Sequence, residues 1–197
     1  GGGGDGDGAG AHALYEETAL ALLGSHAHED AVDAAAVYTK AVGLLATAPD
    51  KLLPDNFFDE LLRTARTEAM RERVRRLRSH RGRHTFAALP PTLCKEEEGA
   101  GPETYGVVPF QIDAPSAVAC ALWAFLYGST PVDAIVEAIA MGGDTDSVAL
   151  LAGGLAGALH GLDWIPTSWI EGLEDGAAER IEKLAKDLHE TAKAGEV

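Results

Sequence analysis

The sequence predicts an all-α fold, on three observations. Apolar residues recur at helical spacing through most of the 197 residues. Prolines fall between these apolar segments and punctuate them. A single stretch, Thr104 to Ile112, has strand-like composition, and Gly106 and Pro109 within it favour an ordered loop.

The elements follow in order. Residues 1–10 are Gly/Asp-rich and read as a flexible segment, with a glycine-rich phosphate cradle as the sharper alternative. Residues 11–197 read as one helical domain. Ala11 to Leu23 is apolar at helical spacing and stops at Gly24. A second helix runs from His28 or Glu29 through Ala46, with Ala31, Ala34, Ala35, Val42 and Leu45 on a core face. Pro49 and Pro54 break the chain, and Asp55 is the expected N-cap of a long helix from Asn56 to about Ser79. Nine of the 16 basic residues fall between Arg63 and Arg83. They read as a solvated face laced with i,i+4 pairs to Glu68 and Glu72, or as a contact for a polyanion. Arg81 to Pro102 reads as a surface loop.

Pro115 to Tyr127 is an apolar helix with proline in its first turn. Thr130 caps the next, which ends at Gly142-Gly143. Ser147 to His160 is rich in Ala and Gly, which suits a crowded centre. A short turn holds Trp169, and a polar amphipathic helix runs from Gly176 to about Thr191. Trp123, Trp164 and Trp169 read as packing residues, and the five histidines His12, His28, His80, His84 and His160 as surface or structural.

The formal net charge of −15 argues against sequence-independent DNA binding, which needs a basic surface, and against an anionic membrane. The longest apolar run, Val148 to Leu159, is too short to span a bilayer. Cys94 and Cys120 have no metal-type or disulfide-type spacing, which points to a reducing compartment. The expected location is intracellular.

Chemistry concentrates in Gly142-Gly143-Asp144-Thr145-Asp146-Ser147. Two glycines permit a sharp turn. Two carboxylates at i and i+2 and a hydroxyl at i+3 then supply oxygen, the donor that hard cations such as Mg²⁺ prefer. Crowding Asp144 against Asp146 is costly unless positive charge lies between them. The competing interpretation is a loop whose Asp and Ser merely cap the following helix.

From Gly142 to Trp169 the chain resembles the C-terminal signature of the ADP-ribosylglycohydrolase family, the dinitrogenase-reductase-activating-glycohydrolase-like proteins. That signature is a GGDTD(S/T) turn, an Ala/Gly-rich helix, then a G-x-x-x-(I/V)-P-x-x-W closure, here Gly161 to Trp169. Upstream, Ser25-His26 with Ala31 is similar to a second family segment. Tyr105 to Phe110 through Ala114-Pro115 resembles the glycine turn and helix that flank the substrate cleft. The subgroup it most resembles removes ADP-ribose from serine and degrades poly(ADP-ribose).

The resemblance implies a compact, orthogonal all-helical domain and two Mg²⁺ ions. It assigns Asp144, Asp146 and Ser147 as metal ligands and His26 and Val107 as contacts to ADP-ribose. It implies a hydrolase acting on an ADP-ribosylated protein or poly(ADP-ribose). The expected oligomeric state is a monomer, and the net charge argues against direct DNA or membrane binding. The family's other half-site, an acidic Thr-Asp-Asp-Thr-type turn with a catalytic glutamate, has no counterpart in the sequence. The catalytic acid is therefore expected outside this chain, in an N-terminal part of a longer protein. An inactive ADP-ribose-binding or structural relative is the alternative.

Overall fold

The computed structural model describes residues 6–47, 54–79, 93–94 and 111–195. Nine helices and no strand occur among the described residues, so the all-α expectation holds. They are α1 (Gly6–Leu22), α2 (Glu29–Thr47), α3 (Pro54–Thr64), α4 (Glu68–Ser79), α5 (Ala114–Tyr127), α6 (Pro131–Ala140), α7 (Thr145–His160), α8 (Thr167–Glu171) and α9 (Ala177–Lys193). The chain divides into two compact units, Gly1–Gly161 and Leu162–Val197.

In the first unit, α5 is the centre. Every residue from Pro115 to Ala124 is buried, and α2, α4, α6 and α7 pack around it. Its small residues let neighbouring backbones approach, while Leu122 and Trp123 fill the remaining space. Burying a side chain the size of Leu122 contributes about 1.5–3 kcal/mol. The start of α5 is specified locally. Asp113 accepts the backbone N–H of Ser116 at 3.1 Å and the Ser116 hydroxyl at 2.6 Å, and proline occupies the first turn. Helix α6 starts in the same way, with Thr130 accepting the Asp133 N–H at 3.0 Å. The first-turn proline of α5 and the Thr130 cap match the sequence expectation; the Asp113 cap adds to it.

The long helix expected over residues 56–79 is two helices. Asp33, fully buried on α2, accepts the backbone N–H groups of Arg66 and Thr67 at 2.9 and 2.8 Å, and the Thr67 hydroxyl at 2.9 Å. Those main-chain donors are taken by a side chain, so the helix ends at Thr64 and restarts at Glu68. Thr67 caps the restart, accepting the Met70 N–H at 3.3 Å. Asp55 is correspondingly no N-cap: α3 already begins at Pro54, and Asp55 faces Arg78 at 3.6 Å.

The basic residues also differ from a uniformly solvated face. Arg76 makes the expected i,i+4 pair with Glu72, Arg75 reaches two turns back to Glu68, and Arg78 reaches back to Asp59 on α3 at 2.7 Å. Arg73, only 12% exposed, donates to the carbonyls of Leu93 and Ala69, to the Ser116 hydroxyl and to Asp113. It ties α4 to the start of α5. Arg71 donates to the Ala65 carbonyl, and Arg66 stacks its guanidinium 3.7 Å over the Tyr15 ring. Arg81 and Arg83 lie outside the described residues.

Two further expectations are adjusted. Helix α1 begins at Gly6, so residues 6–10 of the segment expected to be flexible are helical. The Ala/Gly-rich helix α7 is buried on one side only: Val148, Ala152, Leu155 and Ala156 are covered, while Leu150 is 75% exposed. Cys94 and Cys120, unremarkable in spacing, bring their sulfurs to 3.8 Å as buried free thiols. Their hydrogen bond, with burial, pushes the Cys120 thiol up, and the same bond lowers that of Cys94.

In the second unit no described residue is buried. Helix α9 is amphipathic, with Ile181, Leu184 and Leu188 exposed along one face. Ile181, with Leu162, Trp169 and Leu173 of the same unit, lines an apolar groove of about 690 Å³. Trp169 is thus a groove residue rather than a core one. No described helix is long and apolar enough to cross a membrane.

Candidate functional site

The GGDTDS segment is the joint between α6 and α7. Helix α6 ends because Gly142 and Gly143 both take φ of +74°, a region that L side chains rarely adopt. Met141, before them, is fully buried and pins the end of α6 into the core. The chain then re-enters a helix at Thr145, with Asp144 in the N-cap position.

The capping interpretation of Asp144 is the one the structure can weigh. Asp144 sits at the N-cap, but its side chain makes no cap hydrogen bond. Asp113 and Thr130, at the two preceding helix starts, both do. The Asp144 carboxylate is therefore not consumed in holding the helix. Its backbone N–H is held instead, donating to Gln111 Oε1 at 2.9 Å. Asp146 lies in the first turn of α7 and is exposed, while Asp144 and Ser147 are half-buried. The Asp146 carboxyl is held below the usual carboxylate range, first by a hydrogen bond with Asp144, then by its own backbone N–H and that of Ser147. An ionised carboxylate over the first turn also suits the positive end of the α7 dipole.

The three predicted ligands thus converge on one turn. Their donors are two carboxylates and a hydroxyl, hard oxygens that suit Mg²⁺ in kind. They are fewer than an octahedral ion needs, and no group of three His, Cys, Asp or Glu side chains comes together among the described residues.

His26 follows the turn that ends α1, with its backbone N–H on the Leu22 carbonyl at 2.8 Å. Its exposed side chain sits on the rim of an apolar recess of about 240 Å³. Tyr38 from α2, Ala114 and Val118 from α5 and Leu151 from α7 line it too. The recess thus lies over the first turn of α5 and the second turn of α7, the helix that the acidic turn opens. Val107 lies outside the described residues. A larger cavity of about 390 Å³ lies at the other ends of α5 and α7, lined by Phe125, Gly128, Leu159 and His160, and has no carboxylate in its wall.

Two residues were missed by sequence reasoning. Gln111 is fully buried and holds the acidic turn; its position before a helix cap carried no signal. Tyr38 donates its hydroxyl to the Leu151 carbonyl at 3.0 Å, joining α2 to α7 over the recess. In the sequence it is one aromatic on a helical core face.

An all-helical unit with an acidic turn at the mouth of a Gly/Ala-rich helix defines the class, and comparison with known proteins gives it a family. The chain matches ADP-ribosylglycohydrolase over residues 6–196. It belongs to the ADP-ribosylglycohydrolase family. It is similar to human ADP-ribosylhydrolase ARH3, 42% identical over 55 residues, which is 28% of this chain and 15% of that protein. It is similar to ADP-ribosylarginine hydrolase Tri1 of Pseudomonas putida (strain GB-1), 42% identical over 72 residues, 36% of this chain and 19% of that protein. Zebrafish (Danio rerio) ADP-ribosylhydrolase ARH3 is 34% identical over 90 residues, 40% of this chain and 24% of its own. The aligned stretches therefore span a quarter or less of these relatives.

Proposed function

We propose that this chain contributes the Asp144-Thr145-Asp146-Ser147 side of a Mg²⁺-dependent hydrolase site that releases ADP-ribose from modified proteins or from poly(ADP-ribose). The observation that carries it is the Asp144 carboxylate, which stands at a helix N-cap yet makes no capping bond. Side chains at that position ordinarily satisfy the helix; this one is spared from the helix end and lies against the Asp146 carboxyl instead. Family membership supplies the substrate class, and both named kinds of relative are ADP-ribosyl hydrolases.

In this proposal Asp144, Asp146 and Ser147 hold Mg²⁺. A bound magnesium ion supplies Lewis-acid polarisation of ribose oxygens and orients a water for attack. The chain's own residues supply the rest. Gly142 and Gly143, both at positive φ, end α6 and turn the chain into the acidic segment. Met141 anchors that end. His26, on the rim of the recess beside α7, contacts the bound ADP-ribose, and so does Val107. The substrate linkage, serine, arginine or polymer, is left open, because relatives of both kinds match equally well at 42% identity.

A second possibility is ADP-ribose binding without turnover. The donor count favours it for this chain acting alone: two carboxylates and one hydroxyl do not complete an octahedron. Calorimetric titration of Mg²⁺ and ADP-ribose into the chain, beside Asp144→Ala/Asp146→Ala, tests the site. Magnesium-dependent ADP-ribose binding that the double variant loses is the expected outcome. Equal behaviour of the two proteins would refute the assignment. A hydrolysis assay on ADP-ribosylserine and ADP-ribosylarginine peptides then separates turnover from binding, with little or no turnover expected from this chain alone.

A further inference from the structure

We propose that Gln111 is the positioning residue of the acidic turn, setting Asp144 for the cation and sensing whether the cation is bound. The proposal rests on the metal-site assignment above and adds a residue to it.

Gln111 is 0% exposed and lies just ahead of the Asp113 cap of α5. Its Oε1 accepts the Asp144 N–H across 33 residues of chain. That bond fixes the amide orientation, since a backbone N–H must meet the oxygen and not the NH₂ group. Nε2 therefore carries both donor hydrogens, and it is buried with no hydrogen-bond partner among the described residues. A buried donor left idle is costly, so its retention calls for an explanation.

Gly143 reports how closely Gln111 is built into the turn. A Cβ at Gly143 would stand 2.2 Å from Gln111 Oε1 and 3.0 Å from its Cδ. The glutamine thus occupies the volume that any other residue at Gly143 would need. The turn has two glycines for two reasons: both need positive φ, and the second also makes room for the amide. One side chain from the start of α5 therefore dictates the path of the chain into Asp144.

The idle Nε2–H₂ is the second half of the inference. It lies 3.3 Å from the position of a Gly143 Cβ, at the base of the turn that presents Asp144 and Asp146. Oxygen atoms gathered there on cation binding, carboxylate or water, are the acceptors it lacks. Partners one shell behind metal ligands typically change metal affinity by about 10- to 100-fold when removed.

The test uses Gln111→Met, which keeps an unbranched side chain of similar length and removes both polar functions. Mn²⁺ affinity is read by electron paramagnetic resonance, and backbone amide exchange by nuclear magnetic resonance. Binding is expected to weaken about 10- to 100-fold, and the Asp144 amide to lose protection while Ala152 and Leu155 within α7 keep theirs. Wild-type affinity in Gln111→Met, or an Asp144 amide that exchanges as before, would overturn the proposal. Should that variant not fold, the wild type decides: Mg²⁺ should shift the Gln111 side-chain NH₂ resonances, and should not do so in Asp144→Ala/Asp146→Ala. Saturating Mg²⁺ that leaves those resonances unmoved overturns the proposal equally. A wild-type chain that binds neither cation removes the metal assignment itself, a result distinct from binding that ignores Gln111.

Discussion

Asp33 shows how much one side chain decides in this molecule. It is a carboxylate buried on α2, and its oxygens take the Arg66 and Thr67 amides and the Thr67 hydroxyl. Removing it strands two main-chain donors next to the core, each worth about 1–3 kcal/mol when unsatisfied. Asp33→Ala is therefore expected to lose about 2–4 kcal/mol in urea denaturation, with the α3–α4 junction exchanging first. Loss below about 1 kcal/mol would mean the junction holds without it. Tyr38 acts on a smaller scale. Its hydroxyl bond to Leu151 contributes about 1 kcal/mol, and burial raises its pKa above the ordinary 10.0. The raised value means the folded state resists ionisation. Its contribution is complete below pH about 10 and is lost as pH climbs through the folded pKa, because the unfolded chain ionises first. Alkaline unfolding followed by circular dichroism should show a shallower stability loss above pH about 10 in Tyr38→Phe than in the wild type.

At the scale of elements, the α2–α7 contact is where small residues matter most. A Cβ at Gly154 would stand 2.2 Å from the Tyr38 hydroxyl, but 3.5 Å from the ring carbon beneath it. Gly154→Ala gains about 1 kcal/mol of helix propensity and collides with a rigid phenol, an overpacking cost of about 1–3 kcal/mol. The substitution is expected to destabilise the wild type and to stabilise Tyr38→Phe, where the colliding oxygen is gone. A double-mutant cycle by thermal unfolding reads that coupling directly, and additive effects would contradict it. The same contact explains what could be read in advance. The helix start at Thr130 was legible because capping is local chemistry, and the start of α5 was legible from its proline. So was the α6–α7 joint, because Gly142 and Gly143 need positive φ. The break between α3 and α4 was not, because its cause, Asp33, lies 33 residues away in sequence. Gln111 and Tyr38 escaped for that reason too: each acts through a partner on a distant helix. Of the candidate site, the acidic turn was legible as a composition of oxygen donors, and the buried amide behind it was not.

For the whole molecule, burial is divided very unequally between the two units. Every buried residue among those described lies between Val32 and Ala156, within the first unit. The second unit, Leu162–Val197, shows an amphipathic α9 whose apolar residues stay exposed and whose ion pairs, Lys183 with Asp187 and Lys186 with Glu182, are all within the helix. Such exposed i,i+4 pairs contribute little, because solvent screens them. A short helix without buried area is marginal alone, since most helical stability in proteins comes from packing an apolar face. Ending the chain at Gly161 is therefore expected to leave a cooperatively unfolding protein that keeps the helices α1 to α7. A peptide of residues 162–197 should be largely unstructured in water by circular dichroism. If the acidic turn belongs wholly to the first unit, the shortened chain should also keep the wild-type Mg²⁺ affinity, because Asp144, Asp146, Ser147 and Gln111 all precede the cut. A shortened chain that folds but loses Mg²⁺ would instead place part of the cation site in the second unit.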